Sequence, residues 1–258
     1  MTPAIAPAAV SEIVAARKSR TASAPPTDAG PLTLAQAYDL QDQVRQALVA
    51  DGERLVGWKV GFTSRATQQA FSTTEPAGGF LLGSGVYANG AEVPTSGFIG
   101  LAVEAEVALI MGRALAGPGV TAPQALLAVE GAVPALELID FRYTGKPTAV
   151  DAVADGVFAK AIVLGAPLTD VTHLDLALEG LVYELNGGVA ATNTAAEVLG
   201  SPINSLAWIA NHLGARGLAL RAGDIVMTGS VSLLLRPKAG DAVRARFTRL
   251  GSVSARFV

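Results

Sequence analysis

Two glutamates, Glu104 and Glu106, lie two positions apart in an otherwise apolar run, and a third, Glu137, lies in another apolar run. On a β-strand this spacing directs the first two side chains to the same face. A buried carboxylate is strongly destabilised unless a partner neutralises it, and carboxylate oxygens are the ligands that Mg²⁺ and Mn²⁺ prefer. We therefore predict that the three glutamates bind a divalent metal, Mg²⁺ or Mn²⁺. A strand with one solvated face is the alternative explanation for the first pair.

A single lysine, Lys59, interrupts the apolar run 55–62, with Gly57 and Gly61 two positions away on either side. In an extended strand these glycines share a face with the lysine, which would leave room for a ligand beside its ammonium group. A lysine at the surface, with the glycines in turns, explains the same pattern. Taken alone, the run favours the surface lysine.

Other polar or glycine-rich features are weaker candidates. The segment 77–85 lacks the ending of a phosphate-binding loop, and we interpret it as a flexible loop near a site. His173 lies in a polar segment, and His212 ends a predicted helix, where a partly cationic imidazole would complement the helix dipole. Asp140 and Arg142 form either an ion pair that fixes the segment after the third glutamate or a pair at the surface.

The composition restricts the classes of function. The chain has 258 residues, a net charge of −3 and no cysteine, which argues against nucleic-acid binding and excludes disulfides and thiolate chemistry. No apolar run approaches the ~20 residues of a membrane span, and the segment 1–9 lacks the pattern of a signal peptide. We expect a cytoplasmic protein that binds neither nucleic acid nor membrane.

The hydrophobic patterns predict helices early in the chain and mostly strands after them. Helices are expected over 5–19, from the capping box of Thr33 and Gln36 to Gly52, and over 202–213. Strands are expected at 55–62, 103–111, 133–140, 160–164, 178–185, 224–228, 242–248 and 252–257, with a hairpin turn at 186–188. Too few helices separate the strands for a doubly wound sheet. We predict a β-rich α+β fold, with an N-terminal helical portion (1–53) and a β-rich catalytic domain (54–258).

Five motifs, in their order and spacing, resemble the hydratase/decarboxylase branch of the fumarylacetoacetate hydrolase superfamily, whose members are metal-dependent enzymes of aromatic meta-cleavage degradation. The motifs are 56–64, 103–106, 134–137, 198–202 and 251–257, and the resemblance extends from 32 to 258. Within this branch, the segments 34–41, 63–65, 115–121, 139–143 and 254–257 look more like 4-oxalocrotonate decarboxylase than like 2-keto-4-pentenoate hydratase.

The resemblance implies a mixed β-sandwich roll, a homo-oligomer and a small-molecule 2-oxo acid as the substrate. Because decarboxylases and hydratases of this family can associate, a related enzyme is a candidate partner. The family's metal ligands correspond to Glu104, Glu106 and Glu137, and its active-site lysine corresponds to Lys59. We assign substrate binding to Lys59, Phe80, Leu81 and Phe158.

Two segments depart from the family pattern. Hydratases typically carry an acidic residue where this chain has Ala77, and the family favours Asn, Ala and Ser where it has Gly156, Val157 and Phe158. The second change indicates an altered substrate or impaired activity. Hydration calls for an acid or base near the distal carbon of the substrate, whereas decarboxylation demands less of the protein there. We therefore expect a decarboxylase of 2-oxo-3-hexenedioate, with the hydratase as the alternative.

Two further alternatives remain open. An acylpyruvate-type C–C hydrolase commonly uses a His–Glu pair to activate water, and neither His173 nor His212 is well placed for that role. A catalytically degenerate relative, retained as a partner subunit, would also explain the changes at the substrate end. Such a subunit need not bind Mg²⁺ or Mn²⁺.

Overall fold

The computed structural model describes residues 7–258, so the first two positions of the predicted helix 5–19 lie outside the described residues. Within them the chain forms six α-helices: α1 (Pro7–Ser19), α2 (Leu34–Ala50), α3 (Arg65–Ala70), α4 (Ala122–Leu126), α5 (Ala149–Ala154) and α6 (Pro202–Ala215). It also forms twelve β-strands: β1 (Leu55–Gly61), β2 (Ala77–Leu82), β3 (Val86–Ala88), β4 (Ala91–Val93), β5 (Leu101–Met111), β6 (Val129–Asp140), β7 (Ala159–Leu164), β8 (Gly180–Leu185), β9 (Gly188–Thr194), β10 (Ile225–Ser230), β11 (Ala242–Phe247) and β12 (Gly251–Phe257).

Two mixed sheets form the body of the protein. The larger has the strand order β2-β1-β10-β5-β6-β7-β3, and the smaller has the order β4-β12-β11-β8-β9. The sheets are in contact, because Tyr183 of β8 donates a hydrogen bond to the carbonyl oxygen of Val103 in β5 (3.1 Å). Apolar residues from both sheets and from the helices belong to one hydrophobic core. The architecture confirms the predicted α+β fold, a mixed β-sandwich roll with helices in its N-terminal portion.

The regular elements follow the sequence pattern closely. Each predicted strand is present, and its ends differ from the prediction by a few residues. Helix α2 begins with the expected capping box, in which Thr33 and Gln36 exchange hydrogen bonds between side chains and backbone. At the predicted hairpin, Asn186 and Gly187 have φ angles of 53° and 78°, which is typical of a two-residue turn with left-handed backbone.

Helix α2 packs against the body through an apolar stripe. Leu40, Val44 and Leu48 are almost fully buried in the common core. Burial of a side chain of this size contributes roughly 1.5–3 kcal/mol to folding. The helix is therefore held mainly by tertiary packing, and the capping box defines where it starts.

The prediction of a flexible loop at 77–85 is wrong, because most of this segment is strand β2, paired antiparallel with β1. Its glycines allow close approach of other parts of the chain. A Cβ atom on Gly78 would lie 2.8 Å from Ile209, and one on Gly79 would lie 2.3 Å from the carbonyl oxygen of Gly156. Glycine here indicates dense packing and not mobility.

No helix within residues 7–258 is long and apolar enough to cross a membrane. The division of the chain into a helical portion (1–53) and a catalytic domain (54–258) stays a prediction.

Candidate active site

The three predicted metal ligands lie together on one face of the larger sheet. Glu104 of β5 is the cross-strand partner of Glu137 of β6, and Glu106 follows two residues further along β5. One carboxylate oxygen of each residue lies within 4.8 Å of the other two. Glu106 is 1% exposed and Glu137 is 0% exposed. The alternative of a solvated strand face is therefore wrong.

The carboxylates are not satisfied by the protein alone. Glu106 Oε2 accepts a hydrogen bond from the backbone N–H of Gly229 (2.8 Å). Its other oxygen, and Oε1 of Glu137, have no hydrogen-bond partner among the described residues. Because buried polar atoms in proteins nearly always have a partner, this set of oxygens fits a hard divalent cation such as Mg²⁺ or Mn²⁺.

The electrostatics of the cluster agree with metal binding. Burial raises the pKa of Glu104 to about 7, and burial together with the nearby Glu137 raises the pKa of Glu106 well above its ordinary value. Burial lowers the pKa of Lys59, but attraction to the three carboxylates outweighs it and raises this pKa overall. One ammonium group cannot neutralise three carboxylates. Three ionised glutamates, one lysine and one divalent cation have a net charge of zero.

Lys59 lies inside the site and is 3% exposed, so the alternative of a surface lysine is wrong. Its Nζ lies 3.0 Å from Oε2 of Glu137 and donates a hydrogen bond to the carbonyl oxygen of Val157 (3.3 Å). A Cβ atom on Gly61 would lie 2.5 Å from the side chain of Val157. The room that we predicted beside this glycine is therefore occupied by Val157, and a ligand must approach from another side.

A cavity of about 340 Å³ reaches Glu104. Besides Glu104, its polar lining residues are Thr63, Ser64, Thr67, Asn193, Glu197, Ser230 and Ser232. Hydroxyl and amide groups at this wall can bind the carboxylate and carbonyl oxygens of a small molecule. The backbone is strained at the same place, since Phe62 has a φ of 55°. Strain of this kind is often concentrated at functional sites.

Sequence reasoning did not identify Gly229, Asn193 or Glu197 as residues of the site. Gly229 had a signal, because a glycine between two hydroxyl residues ends an otherwise apolar strand. The structure explains it: a Cβ at this position would lie 2.3 Å from Thr63 Oγ1. Asn193 and Glu197 had no such signal, since only the tertiary fold brings their segments to the cavity.

The residues assigned to substrate binding are scattered. Phe80 lies opposite Trp58 in the β1–β2 register, so its side chain is on the other sheet face from Lys59. Leu81 belongs to a small apolar cluster on the glutamate face of the sheet. Phe158 lines a separate cavity of about 500 Å³. None of the three lines the cavity that reaches Glu104, and their assignment to substrate binding stays a prediction.

Neither histidine lines this cavity. His173 is exposed. His212 stacks on Trp208, with ring centroids 5.0 Å apart, and contacts Tyr38. Burial and the nearby Arg216 lower the pKa of His212 to about 4. The imidazole is therefore neutral at pH 7, and the prediction that it is partly cationic is wrong.

Comparison with known families adds independent information. The profile described as fumarylacetoacetate (FAA) hydrolase C-terminal matches residues 55–258. A 4-oxalocrotonate decarboxylase from Pseudomonas sp. (strain CF600) is 36% identical over 228 residues, which cover 88% of this chain and 86% of the relative. A 2-hydroxyhexa-2,4-dienoate hydratase from Comamonas testosteroni is 35% identical over 247 residues, which cover 94% of this chain and 93% of the relative.

A solved structure of similar fold is also known. The 4-oxalocrotonate decarboxylase from Pseudomonas putida G7, complexed with magnesium and adipate, superposes with a TM-score of 0.94 at 33% identity. The match covers 97% of this chain and 96% of that chain. Profile, relatives and fold agree with the resemblance drawn from the motifs, and the chain belongs to the fumarylacetoacetate hydrolase family.

Proposed function

We propose that this protein is a divalent-metal-dependent lyase that decarboxylates a 2-oxo acid of the 2-oxo-3-hexenedioate type. The observation that carries the proposal is the cluster of Glu104, Glu106 and Glu137, the last two fully buried, with the ammonium group of Lys59 beside it. Similarity to a 4-oxalocrotonate decarboxylase at 36% identity supports the reaction class.

Glu104, Glu106 and Glu137 would hold the metal, and the magnesium complex of the similar decarboxylase supports Mg²⁺ as one candidate. When bound, such a cation supplies Lewis-acid chemistry, because it polarises the keto group of a 2-oxo acid and stabilises negative charge there. The two Oε1 atoms without hydrogen-bond partners are available as ligand atoms.

The residues of the chain provide the remaining steps. Loss of CO₂ from the far carboxylate leaves the electron pair of the broken bond on the adjacent carbon, and the conjugated alkene carries it to the keto oxygen. Lys59 Nζ can stabilise that charge and donate a proton to this oxygen, which yields 2-hydroxypenta-2,4-dienoate. Thr63, Ser64 and Ser230 can orient the substrate through their hydroxyl groups.

The hydratase alternative has support of its own. Glu197 lines the same cavity as Glu104 and offers a carboxylate that can move a proton, and a hydratase is 35% identical to this chain. Against it, Ala77 lies opposite Gly61 in the β1–β2 register and has no titratable group where hydratases typically carry an acid. Decarboxylation needs no group to deliver water at the distal carbon, so it stays the first choice.

The two remaining alternatives are less well supported. A C–C hydrolase would need a histidine beside a glutamate, and neither His173 nor His212 lines the cavity. A degenerate partner subunit has no need of a metal site, and the unpaired buried carboxylate oxygens argue against that reading.

A direct assay separates these possibilities. Protein loaded with Mg²⁺ or Mn²⁺ is expected to release CO₂ from 2-oxo-3-hexenedioate, and a chelator should stop the reaction until metal is added back. Hydration of 2-hydroxypenta-2,4-dienoate without CO₂ release from the dioate would establish the alternative. Absence of both reactions in metal-loaded protein would refute the proposed reaction class for these substrates.

We also propose that residues 54–258 form the catalytic domain and that the protein acts as a homo-oligomer in the cytoplasm. A complex with a related hydratase or decarboxylase is a further proposal. The family match over 55–258 supports the first statement, and the family resemblance supports the others. Light scattering on the purified protein tests the homo-oligomer, and a monomer at micromolar concentration would contradict it.

A further inference from the structure

A turn with unusual backbone geometry lies beside Lys59. Gly156, Val157 and Phe158 all have left-handed backbone conformations, with φ angles of 64°, 55° and 60°. This conformation is ordinary for glycine, but it is unfavourable for phenylalanine and especially for β-branched valine. Strained residues persist only where the surrounding structure holds them in place. Groups outside the turn must therefore hold it in this conformation.

The turn contacts the lysine directly. The carbonyl oxygen of Val157 accepts a hydrogen bond from Lys59 Nζ (3.3 Å), while the Val157 side chain fills the space beside Gly61. Nζ thus lies between this carbonyl oxygen and Oε2 of Glu137 at 3.0 Å. A change of Val157 to a right-handed conformation would turn its carbonyl group away and leave Nζ with one partner fewer.

Two buried arginines hold the turn from both ends. Before the turn, the carboxylate of Asp155 accepts hydrogen bonds from Nε of Arg17 (3.0 Å) and Nε of Arg142 (2.8 Å). After the turn, the carbonyl oxygen of Ala159 accepts one hydrogen bond from each of the same guanidinium groups, both at 3.2 Å. Asp155 and Ala159, on either side of the turn, are therefore both hydrogen-bonded to the side chains of Arg17 and Arg142.

The two arginines come from distant parts of the chain. Arg142 follows β6, and its Nη1 lies 3.6 Å from Oδ2 of Asp140, which is the predicted ion pair, buried and not at the surface. Arg17 belongs to α1, lies over the ring of Phe80 and is 8% exposed. It is outside the part of the chain that matches the family profile. Helix α1 thus contributes a buried guanidinium group that contacts Asp155 and Ala159.

We propose that Arg17 is a positioning residue for Lys59. Together with Arg142 it clamps the left-handed turn 156–158, and the turn holds Nζ through the carbonyl group of Val157. The inference rests on the proposed function, because it takes Lys59 to act on the substrate. If Arg17 only fastened α1 to the body, its loss would lower stability without changing turnover by the folded protein.

The variant Arg17→Met tests this role, and Lys18→Met is its control. Lys18 lies next to Arg17 on the same helix, but it pairs with Asp51 at the surface. With Mn²⁺ and 2-oxo-3-hexenedioate, Arg17→Met should lower kcat about 10- to 100-fold, because small displacements of a catalytic group have effects of this size. KM and Mn²⁺ affinity should stay within about twofold, which places the loss in turnover and not in binding. Lys18→Met should match the unaltered protein.

A second substitution tests whether the loss of kcat in Arg17→Met is caused by a change in the turn 156–158. Glycine adopts the left-handed conformation without the penalty of valine, so Arg17→Met combined with Val157→Gly should recover most of the lost kcat. Hydrogen exchange gives a measurement that needs no substrate. The amide of Val157 donates to Ala152 and that of Ala159 donates to Gly156, and both should exchange faster in Arg17→Met than in Lys18→Met.

The outcomes are distinct. Unchanged kcat in folded Arg17→Met would overturn the proposal, whatever the exchange rates, as would a loss of kcat that Val157→Gly does not restore. If Arg17→Met does not fold, Arg17→Lys replaces it, because an ammonium group lacks the fork that reaches both Asp155 and Ala159. If the unaltered protein turns over neither substrate, the proposed reaction fails. Hydrogen exchange then still decides whether Arg17 holds the turn.

Discussion

At the scale of single residues, Glu106 offers the most direct test of the metal site. The variant Glu106→Gln keeps the size of the side chain and an oxygen that can accept the Gly229 hydrogen bond, but it removes one ligand charge. Because ligand charge sets the affinity of such sites, we expect Mn²⁺ binding to weaken about 100-fold or more. The Mn²⁺ content of the protein after dialysis measures this weakening. The control is Glu130→Gln, which replaces an exposed glutamate on β6. Full metal content in Glu106→Gln would refute the three-carboxylate site.

Lys59 can be tested separately from the metal. Lys59→Met should lower kcat roughly 100-fold or more if the ammonium group transfers a proton or stabilises charge. In metal-free protein it should also lower the free energy of unfolding by about 3–5 kcal/mol, because Glu137 would remain as a buried charge without its partner. Steady-state kinetics and urea unfolding measure the two effects. The exposed Lys238→Met is the control, and unaltered turnover in Lys59→Met would remove the lysine from the mechanism.

A residue of the site could be predicted from the sequence where its side chain differs in polarity from its sequence neighbours. The three glutamates and Lys59 could be recognised because charged side chains are rare in apolar strands. The left-handed turn could not, since valine and phenylalanine are among the residues least expected there. Tertiary contacts from Arg17 and Arg142 override the local preference. No local sequence pattern predicts a contact such as that between Arg17 and Asp155, which are 138 positions apart.

At the scale of elements, predictions succeeded where the local signal and the tertiary structure agree. Helix α2 has a capping box and an apolar stripe, and both are present. Strand β2 was missed because its glycines normally disfavour strands, whereas here they let the backbone of Gly156 and the side chain of Ile209 come close. The short helices α3, α4 and α5 were also missed, since five or six residues carry too little periodicity to recognise.

Helix α6 makes a pH-dependent contribution to stability through His212. In the folded protein its pKa is lowered from 6.5 to about 4 by burial and by Arg216, while Asp42 opposes the shift. The unfolded chain therefore binds the additional proton between these pH values, so this contribution is present above pH 6.5 and is lost as the pH falls towards 4.

The variant His212→Asn isolates that contribution. Its free energy of unfolding should depend less on pH between 6.5 and 4 than that of the unaltered protein, even if loss of the contact with Trp208 lowers it at every pH. Urea unfolding across this range measures the difference, and the comparison cancels the opposing titration of the buried glutamates. His173→Asn, at an exposed position, should keep the original dependence. If the free energy of unfolding changes with pH equally in His212→Asn and in the unaltered protein, the lowered pKa of His212 is contradicted.

At the scale of the whole molecule, the fold connects the proposed metal site and its lysine to a helix from outside the sheets. Strands β5 and β6 bring three carboxylates to one face of the larger sheet, and β1 adds a single lysine. Arg17 of α1 donates hydrogen bonds to Asp155 and Ala159, on either side of the turn that contacts this lysine. The proposed metal ligands thus lie within residues 55–258, the range that matches the family profile, whereas the proposed positioning of Lys59 depends on Arg17 of the N-terminal helix α1.

Metal binding should therefore stabilise the entire folded protein. The unfolded chain does not hold Glu137 beside Glu104 and Glu106, so a cation that binds all three in the folded protein adds RT ln(1 + [M]/Kd) to the free energy of unfolding, about 2.7 kcal/mol at 100 times Kd. For a chain of this size that corresponds to a rise in Tm of roughly 5–10 °C. Calorimetry with Mn²⁺ and with a chelator measures it, and Glu106→Gln should lose most of the shift while Glu130→Gln keeps it. An equal rise in Glu106→Gln would mean that the stabilising metal binds elsewhere.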